Sequence, residues 1–363
     1  MATIMPTVPV PLHTLAKSPS TPPPPMPHAD LPQHTALTVV QRGGHPELVH
    51  YGSVAVCNAQ GRLLASAGDT TSAMFTRSAL KPFQAMPLIA QFAERYQLSD
   101  ADVALLCASH NGEPAHTQRV ASLLAKAGAD DTALACGSHL PYFYSTNNVT
   151  PEAGAVFGRL HHNCSGKHTG MLLLAAALGE PMTGYLAVDH PVQQAIATSV
   201  SHFTSVPQAQ LVRGTDGCSA PNYAVPLPAL ATAFARLTLT EPDAEFGTGP
   251  LRVAQGMCAH PEMVSGQGRN DLALARAGRG DWVCKVGADG VQTIASRRRG
   301  VALAAKVSDG NLKALMVAVV SVLAQLGWLD GESLAALAEF TPPPMKNAAG
   351  LDVGQMVPVV TLT

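Results

Sequence analysis

The segments of this chain most apt to form β-strands lie near its two ends, so any fold it adopts must bring distant stretches together. Near one end, "HYGSVAVCNAQGRLLASAGD" (residues 50–69) reads as two short apolar runs joined by turn residues 58–61. Near the other, "DWVCKVGADGVQTIASRRRGVALAAKVSDG" (281–310) holds three β-prone runs separated by "ADG" and "RRRG". Between them, "ALKPFQAMPLIAQFAERYQ", "HTQRVASLLAKAGA", "HPVQQAIATSVSHFTS" and "NYAVPLPALATAFARLT" repeat apolar residues at spacings of three and four, with Gly or Pro as punctuation. This order predicts an α/β (α+β) fold. One antiparallel sheet comes from both chain ends (about 46–70 and 281–307), with a helical region (about 78–280) against or beside it. A further helix is expected over about 311–327, ending at Gly327, and no internal repeat of fixed period is present.

The remaining segments set the boundaries. Residues 1–35 are Pro-rich and lack the basic and unbroken apolar regions of a secretory signal, so a disordered tail is expected there. The domain is expected over 36–345, and residues 346–363 are set apart as a C-terminal extension; the Pro-broken end leaves open whether it carries a closing edge strand. A chain of 363 residues can bury a sizeable core, and 13% charged against 47% apolar residues reads as a soluble globular protein. A net charge of -2 leaves no footprint for nucleic acid or anionic lipid, and "SRRRG" reads as a solvated hairpin turn. The apolar run 312–329 is short for a membrane span and carries Ser321 and Gln325, so it is read as a buried helix. Seven cysteines, an odd number scattered through a large chain, point to a reducing, cytoplasmic setting.

Three motifs bear on chemistry. In "RSALKPF", Ser78 and Lys81 are three apart and share a face if a helix begins there, so a partly desolvated lysine could take the serine's proton. "SHN" (Ser109 to Asn111) and "KVG" (Lys285 to Gly287) follow in the order of the Ser-x-x-Lys, Ser-Asp-Asn and Lys-Thr-Gly set of serine-lysine acyl-transfer enzymes, each with its middle position changed. "HHNCSGKHTGM" (161–171) fails as a Walker A loop, since His161 and His168 stand where a Gly and a Ser or Thr are needed. Cys164 there and Cys218 in "RGTDGCSAPNY" lie far apart without a Cys-x-x-Cys, and spacing alone reads them as buried free thiols. "HPEMVSGQGRNDLAL" (260–274) allows either a backbone-rich anion loop or an ordinary helix start capped by Asn270 or Asp271. His110, Glu113 and His116 lack the spacing of a helical zinc site.

Taken together, "FTRSALKPFQA", "CASHNGEPAH", "HHNCSGKHTGML", "GTDGCSAPNYAVPLPALA", "HPEMVSGQGRND" and "KVGADGV" closely resemble the rhizobial-type (class 3, thermolabile) L-asparaginase family, from about residue 42 to 327. The resemblance implies a serine β-lactamase/glutaminase-like fold, a homodimer, and hydrolysis of the side-chain amide of L-asparagine to L-aspartate and ammonia. It implies two catalytic pairs, Ser78 as nucleophile with Lys81 as base, and Ser109 with Lys285 in support. It also implies a Zn2+ site of Cys164, Lys167 and Cys218, with Arg77, His168 and Asp216 near the substrate or metal. A glutaminase or other small-amide amidohydrolase, and a non-catalytic amino-acid- or metal-binding homologue, are the alternatives. Two stretches depart from the family pattern and bear on the substrate loop: "HPELVH", which keeps Glu47 but has Leu48 where a small polar residue is expected, and residues 136–160.

Overall fold

The computed structural model describes residues 31–363, and most of the stretch read as a tail lies outside the described residues. An eight-stranded antiparallel sheet is built from both ends of the chain, as its β-prone segments predict. One end supplies β1 (Thr35–Arg42), β2 (His45–Asn58) and β3 (Leu63–Ala67). A separate three-stranded sheet, in the order β4-β6-β5, comprises β4 (Ala73–Phe75), β5 (Val212–Thr215) and β6 (Pro221–Pro226). The other end returns to the large sheet with β7 (Trp282–Gly287), β8 (Val291–Ser296), β9 (Val301–Val307), β10 (Met345–Lys346) and β11 (Asp352–Pro358). The order is β10-β11-β1-β2-β9-β8-β7, with β3 beside the far half of β2.

Alternation along the central strands divides the core between two faces, because successive side chains in a strand point to opposite sides. Val54, Val56, Trp282, Cys284, Ile294, Leu303 and Ala305 pack with the helix Leu312–Gln325 on one face. Ala55, Cys57, Val283, Ala295, Ala302 and Ala304 meet the helical region on the other. The second face is mostly alanine, and these small side chains let the helix Leu227–Arg236 lie close against β2, β8 and β9. The helix Leu312–Gln325 matches its expected range, with the Asn311 side chain accepting the Ala314 N–H at 2.9 Å as its N-cap.

Three readings are corrected. The sheet begins at β1, a Thr- and Val-rich run that starts one residue before the expected domain boundary and was missing from the predicted sheet. The closing edge strand left open for the C-terminal extension is made, and the domain runs past 345, since β11 pairs with β1 from Thr38↔Pro358 to Gln41↔Gln355. Within the region read as helical, "NYAVP" completes β6, and the helix starts only at Leu227, where Pro226 and Pro228 suit a helix N-terminus. β6 is buried along nearly its whole length and therefore shows no alternation to betray a strand.

Candidate active site

Ser78 sits where the chain leaves β4. Residues Arg77–Leu80 form a 3-10 turn that runs straight into the helix Lys81–Phe92, with Pro82 in its first turn. Arg77 adopts a φ of +50°, a left-handed conformation that costs a bulky residue energy and persists only where neighbours enforce it. Asn222 on β6 does so by accepting the Arg77 N–H at 3.1 Å and donating to its carbonyl at 3.0 Å. The guanidinium binds Asp216 at 2.9 Å and also pairs with Asp289, so both carboxylates hold this cation. The Ser78 hydroxyl has no hydrogen-bond partner among the described residues and lines a cavity of about 220 Å³.

Ser109 lines the same cavity. It follows the helix Asp100–Leu106, and its N–H donates to the Val264 carbonyl at 2.9 Å. Its hydroxyl oxygen accepts from Lys81 Nζ at 2.9 Å and from Lys285 Nζ at 3.0 Å. The expected pair Ser109 and Lys285 is therefore made, whereas Lys81 reaches Ser109 and makes no hydrogen bond to Ser78. Lys81 also donates to the carbonyls of Ala108 at 2.6 Å and Asn163 at 3.4 Å. While both amines donate to its oxygen, Ser109 keeps its own proton free; a neutral Lys285 can instead accept that proton.

Strand alternation places Lys285 on the same face of β7 as Val283, toward the helical region and Ser109. Lys285 is wholly buried, and burial lowers its pKa to about 8; Lys81 and Arg269 add to the lowering, against the pull of Asp271. Asp271 lies in the first turn of the helix Asn270–Ala277. It accepts from Lys285 Nζ at 3.4 Å, from the Val286 N–H at 2.9 Å and from Gln292 Nε2 at 3.0 Å, which ties that helix to β7 and β8.

The segment "HHNCSGKHTGM" is mostly the start of a helix, Ser165–Leu178, with Cys164 as its N-cap residue. Cys164, Lys167 and Cys218 are brought together and buried, with Lys167 Nζ 2.8 Å from the Cys218 sulfur. A hydrogen bond from Cys218 holds the Cys164 thiol well below its ordinary pKa against the opposing effect of burial, while the same bond and burial raise Cys218. The helix N-terminus also favours a thiolate there. Against burial, the charges of Cys218, Cys164 and Asp216 raise Lys167. The Asp216 carboxylate lies 4.0 Å from the Cys218 sulfur. Burial holds His168 down to about 4; its Nδ1 bonds the Tyr185 hydroxyl at 2.6 Å, and its buried Nε2 has no hydrogen-bond partner. Among the described residues, no three His, Cys, Asp or Glu side chains gather as metal ligands, so the trio is a donor set only with Lys167 counted.

Arg269, which the sequence reading placed only in a candidate anion loop, and Tyr142, which it did not name, also line the cavity. The Arg269 guanidinium lies over the Tyr142 ring at 5.1 Å and donates to Asn111 Oδ1 at 3.2 Å. "SGQGRND" proves to be a helix start with Arg269, in extended backbone, at its N-cap; neither Asn270 nor Asp271 caps it, and Asp271 turns inward to Lys285. Tyr142 comes from residues 136–160, the stretch read from the sequence as unlike the family. His110 and His116 are structural: their rings stack at 4.9 Å, and His116 Nδ1 accepts the Glu113 N–H at 3.2 Å.

A family model described as L-asparaginase II matches residues 38–358. The chain belongs to the L-asparaginase II family. No curated protein matches it. Among solved structures it is similar to Mglu in its native form in the presence of 4.3 M NaCl, at 16% identity over 78% of this chain and a TM-score of 0.34. It spans 63% of the Mglu chain. It is also similar to a β-lactamase from Mycobacterium bovis, at 16% identity over 80% of this chain and 95% of that one, with a TM-score of 0.31. Among the described residues no helix is long and apolar enough to cross a membrane, and all seven cysteines are free thiols.

Proposed function

We propose that this L-asparaginase II protein hydrolyses L-asparagine to L-aspartate and ammonia through an acyl-enzyme on Ser78. The observation that carries the reading is a pair of buried lysines on the Ser109 oxygen, in a cavity shared with the unbonded hydroxyl of Ser78. Burying two amines against one hydroxyl is costly for structure alone and suits proton transfer.

Once Lys285 is neutral, its contact with Ser109 reverses and the Ser109 O–H donates to the free amine. Ser78 Oγ attacks the side-chain carbonyl carbon, and its proton passes to Ser109 as Ser109 passes its own to Lys285. Lys81, donating to the same oxygen, fixes the relay. As the tetrahedral intermediate collapses, the C–N bond breaks and the relay returns the proton, so nitrogen leaves as ammonia. Water then attacks the ester carbonyl and gives a proton to the same relay, which returns it to Ser78 Oγ as the C–O bond breaks and L-aspartate is released. The expected assignment of Lys81 as the direct base for Ser78 gives way here to a relay, because Lys81 bonds Ser109.

Zn2+ belongs to the same proposal. Cys164, Lys167 and Cys218 would hold it, and their buried sulfurs and amine, with the unpartnered His168 Nε2 nearby, suit a borderline-soft cation. Bound there, zinc would act as a Lewis acid beside the cavity that Asn163 lines. Lys167 would have to give up its proton to ligate, so binding strengthens as pH rises. A homodimer, implied by the family resemblance, and a cytoplasmic setting, suggested by the scattered cysteines, complete the reading; metal analysis and sedimentation test the metal and the dimer.

The test is ammonia release by the purified protein from L-asparagine and L-glutamine in parallel. Release from asparagine alone is the expected result. Release mainly from glutamine would make the protein a glutaminase, and tight binding without release a binding protein.

A further inference from the structure

The cavity is lined by a cation, Arg269, that the reaction proposed above does not use. Lys81 and Lys285 are engaged on Ser109 by that reaction, and Asp271 is the carboxylate that faces Lys285 from the adjoining helix. Asp289 also lines the cavity, but its carboxylate pairs with Arg77. Arg77 is itself bound by Asp216 as well as Asp289, so this cation is already neutralised. Arg269 differs. Its guanidinium makes no ion pair among the described residues, and its contacts are one neutral amide oxygen and the face of one aromatic ring.

Those two contacts orient the group. Asn111 Oδ1 takes one N–H at 3.2 Å, and the Tyr142 ring lies under the guanidinium plane, where a cation is attracted without losing its edge donors. Asn111 is itself fixed, since its Nδ2 donates to Glu113 and to the Gln267 carbonyl, both at 2.9 Å. The remaining N–H fork suits a planar anion bound through two oxygens.

We propose that Arg269, positioned by Asn111 and Tyr142, binds the α-carboxylate of the amino-acid substrate and so selects free amino-acid amides over neutral ones. The assignment rests on the asparaginase reading given above, because it presupposes that the side-chain amide is presented to Ser78 in the same cavity. It also gives the divergent stretch that carries Tyr142 a role in substrate choice.

The test compares L-asparagine with L-asparaginamide, in which the α-carboxylate is replaced by an uncharged carboxamide, in the wild type, Arg269→Lys and Arg269→Gln. The wild type should favour asparagine in kcat/KM by roughly 30-fold or more, the scale on which loss of a buried charged hydrogen-bond partner is felt. Arg269→Gln should bring that ratio close to one, with most of the loss in asparagine KM, and Arg269→Lys should fall between. An unchanged ratio in Arg269→Gln overturns the assignment. If Arg269→Gln turns over too slowly, binding of L-asparagine is compared between Ser78→Ala and Ser78→Ala/Arg269→Gln. Weakening by about 30-fold supports the proposal and equal binding overturns it. A wild type that releases no ammonia from asparagine but binds it refutes the asparaginase reading, while the binding comparison still decides the role of Arg269.

Discussion

At the scale of single residues, the distinctive feature is one serine oxygen shared by two buried amines. Sequence could suggest that Ser78, Lys81, Ser109 and Lys285 belong together, because order and spacing survive in one dimension. It could not show which lysine meets which serine, since that depends on where a loop and a distant strand converge. Arg269 was hidden for a related reason: a helix start and an anion loop look alike in "SGQGRND" until the side chain's cavity is known. The pKa of Lys285, lowered to about 8, has a kinetic consequence. Below that value the amine is protonated and accepts nothing; above it the base is available. The rate kcat/KM is therefore expected to rise with pH through about 8. Asp271 holds the Lys285 pKa up, so Asp271→Asn should move the rising limb to lower pH, as a pH series on both proteins would show. A limb that stays in place would mean that another group governs the profile.

At the scale of elements, the site depends on a close backbone approach between the turn that carries Ser78 and the end of β7. A Cβ on Gly287 would stand 2.5 Å from the Thr76 carbonyl oxygen, which is backbone and has little room to yield. Gly287→Ala should thus push β7 away from the turn, costing about 1–3 kcal/mol of stability. Ammonia release should fall with it, since Lys285 is two residues away. Denaturant unfolding and activity measured together check this, and wild-type values in both would contradict it. The strands that sequence made visible were those of the central sheet, where apolar runs stand between clear turns. β4, β5 and β6 escaped because they are short and because β6 is covered along both sides.

At the scale of the molecule, the two ends of the chain build the sheet and the middle supplies the helices and most of the site, with β7 bringing Lys285 across to them. The large outline was legible because it follows from where β-prone and helix-prone segments fall. The sequence leaves the closure by β11 open, because Pro and Gly around residues 342–350 obscure its strand pattern, and only its pairing with β1 defines it. Such an assembly makes sense as a rigid frame for a covalent step, and the central claim concerns where that covalent bond forms. The most direct test is mass analysis of protein quenched during turnover of L-asparagine, with peptide mapping, for the wild type and Ser78→Ala. The account predicts an aspartyl group on Ser78, absent from Ser78→Ala along with turnover, lowered by more than about 1,000-fold in a protein that remains folded. An adduct on Ser109, or undiminished ammonia release by Ser78→Ala, would contradict it.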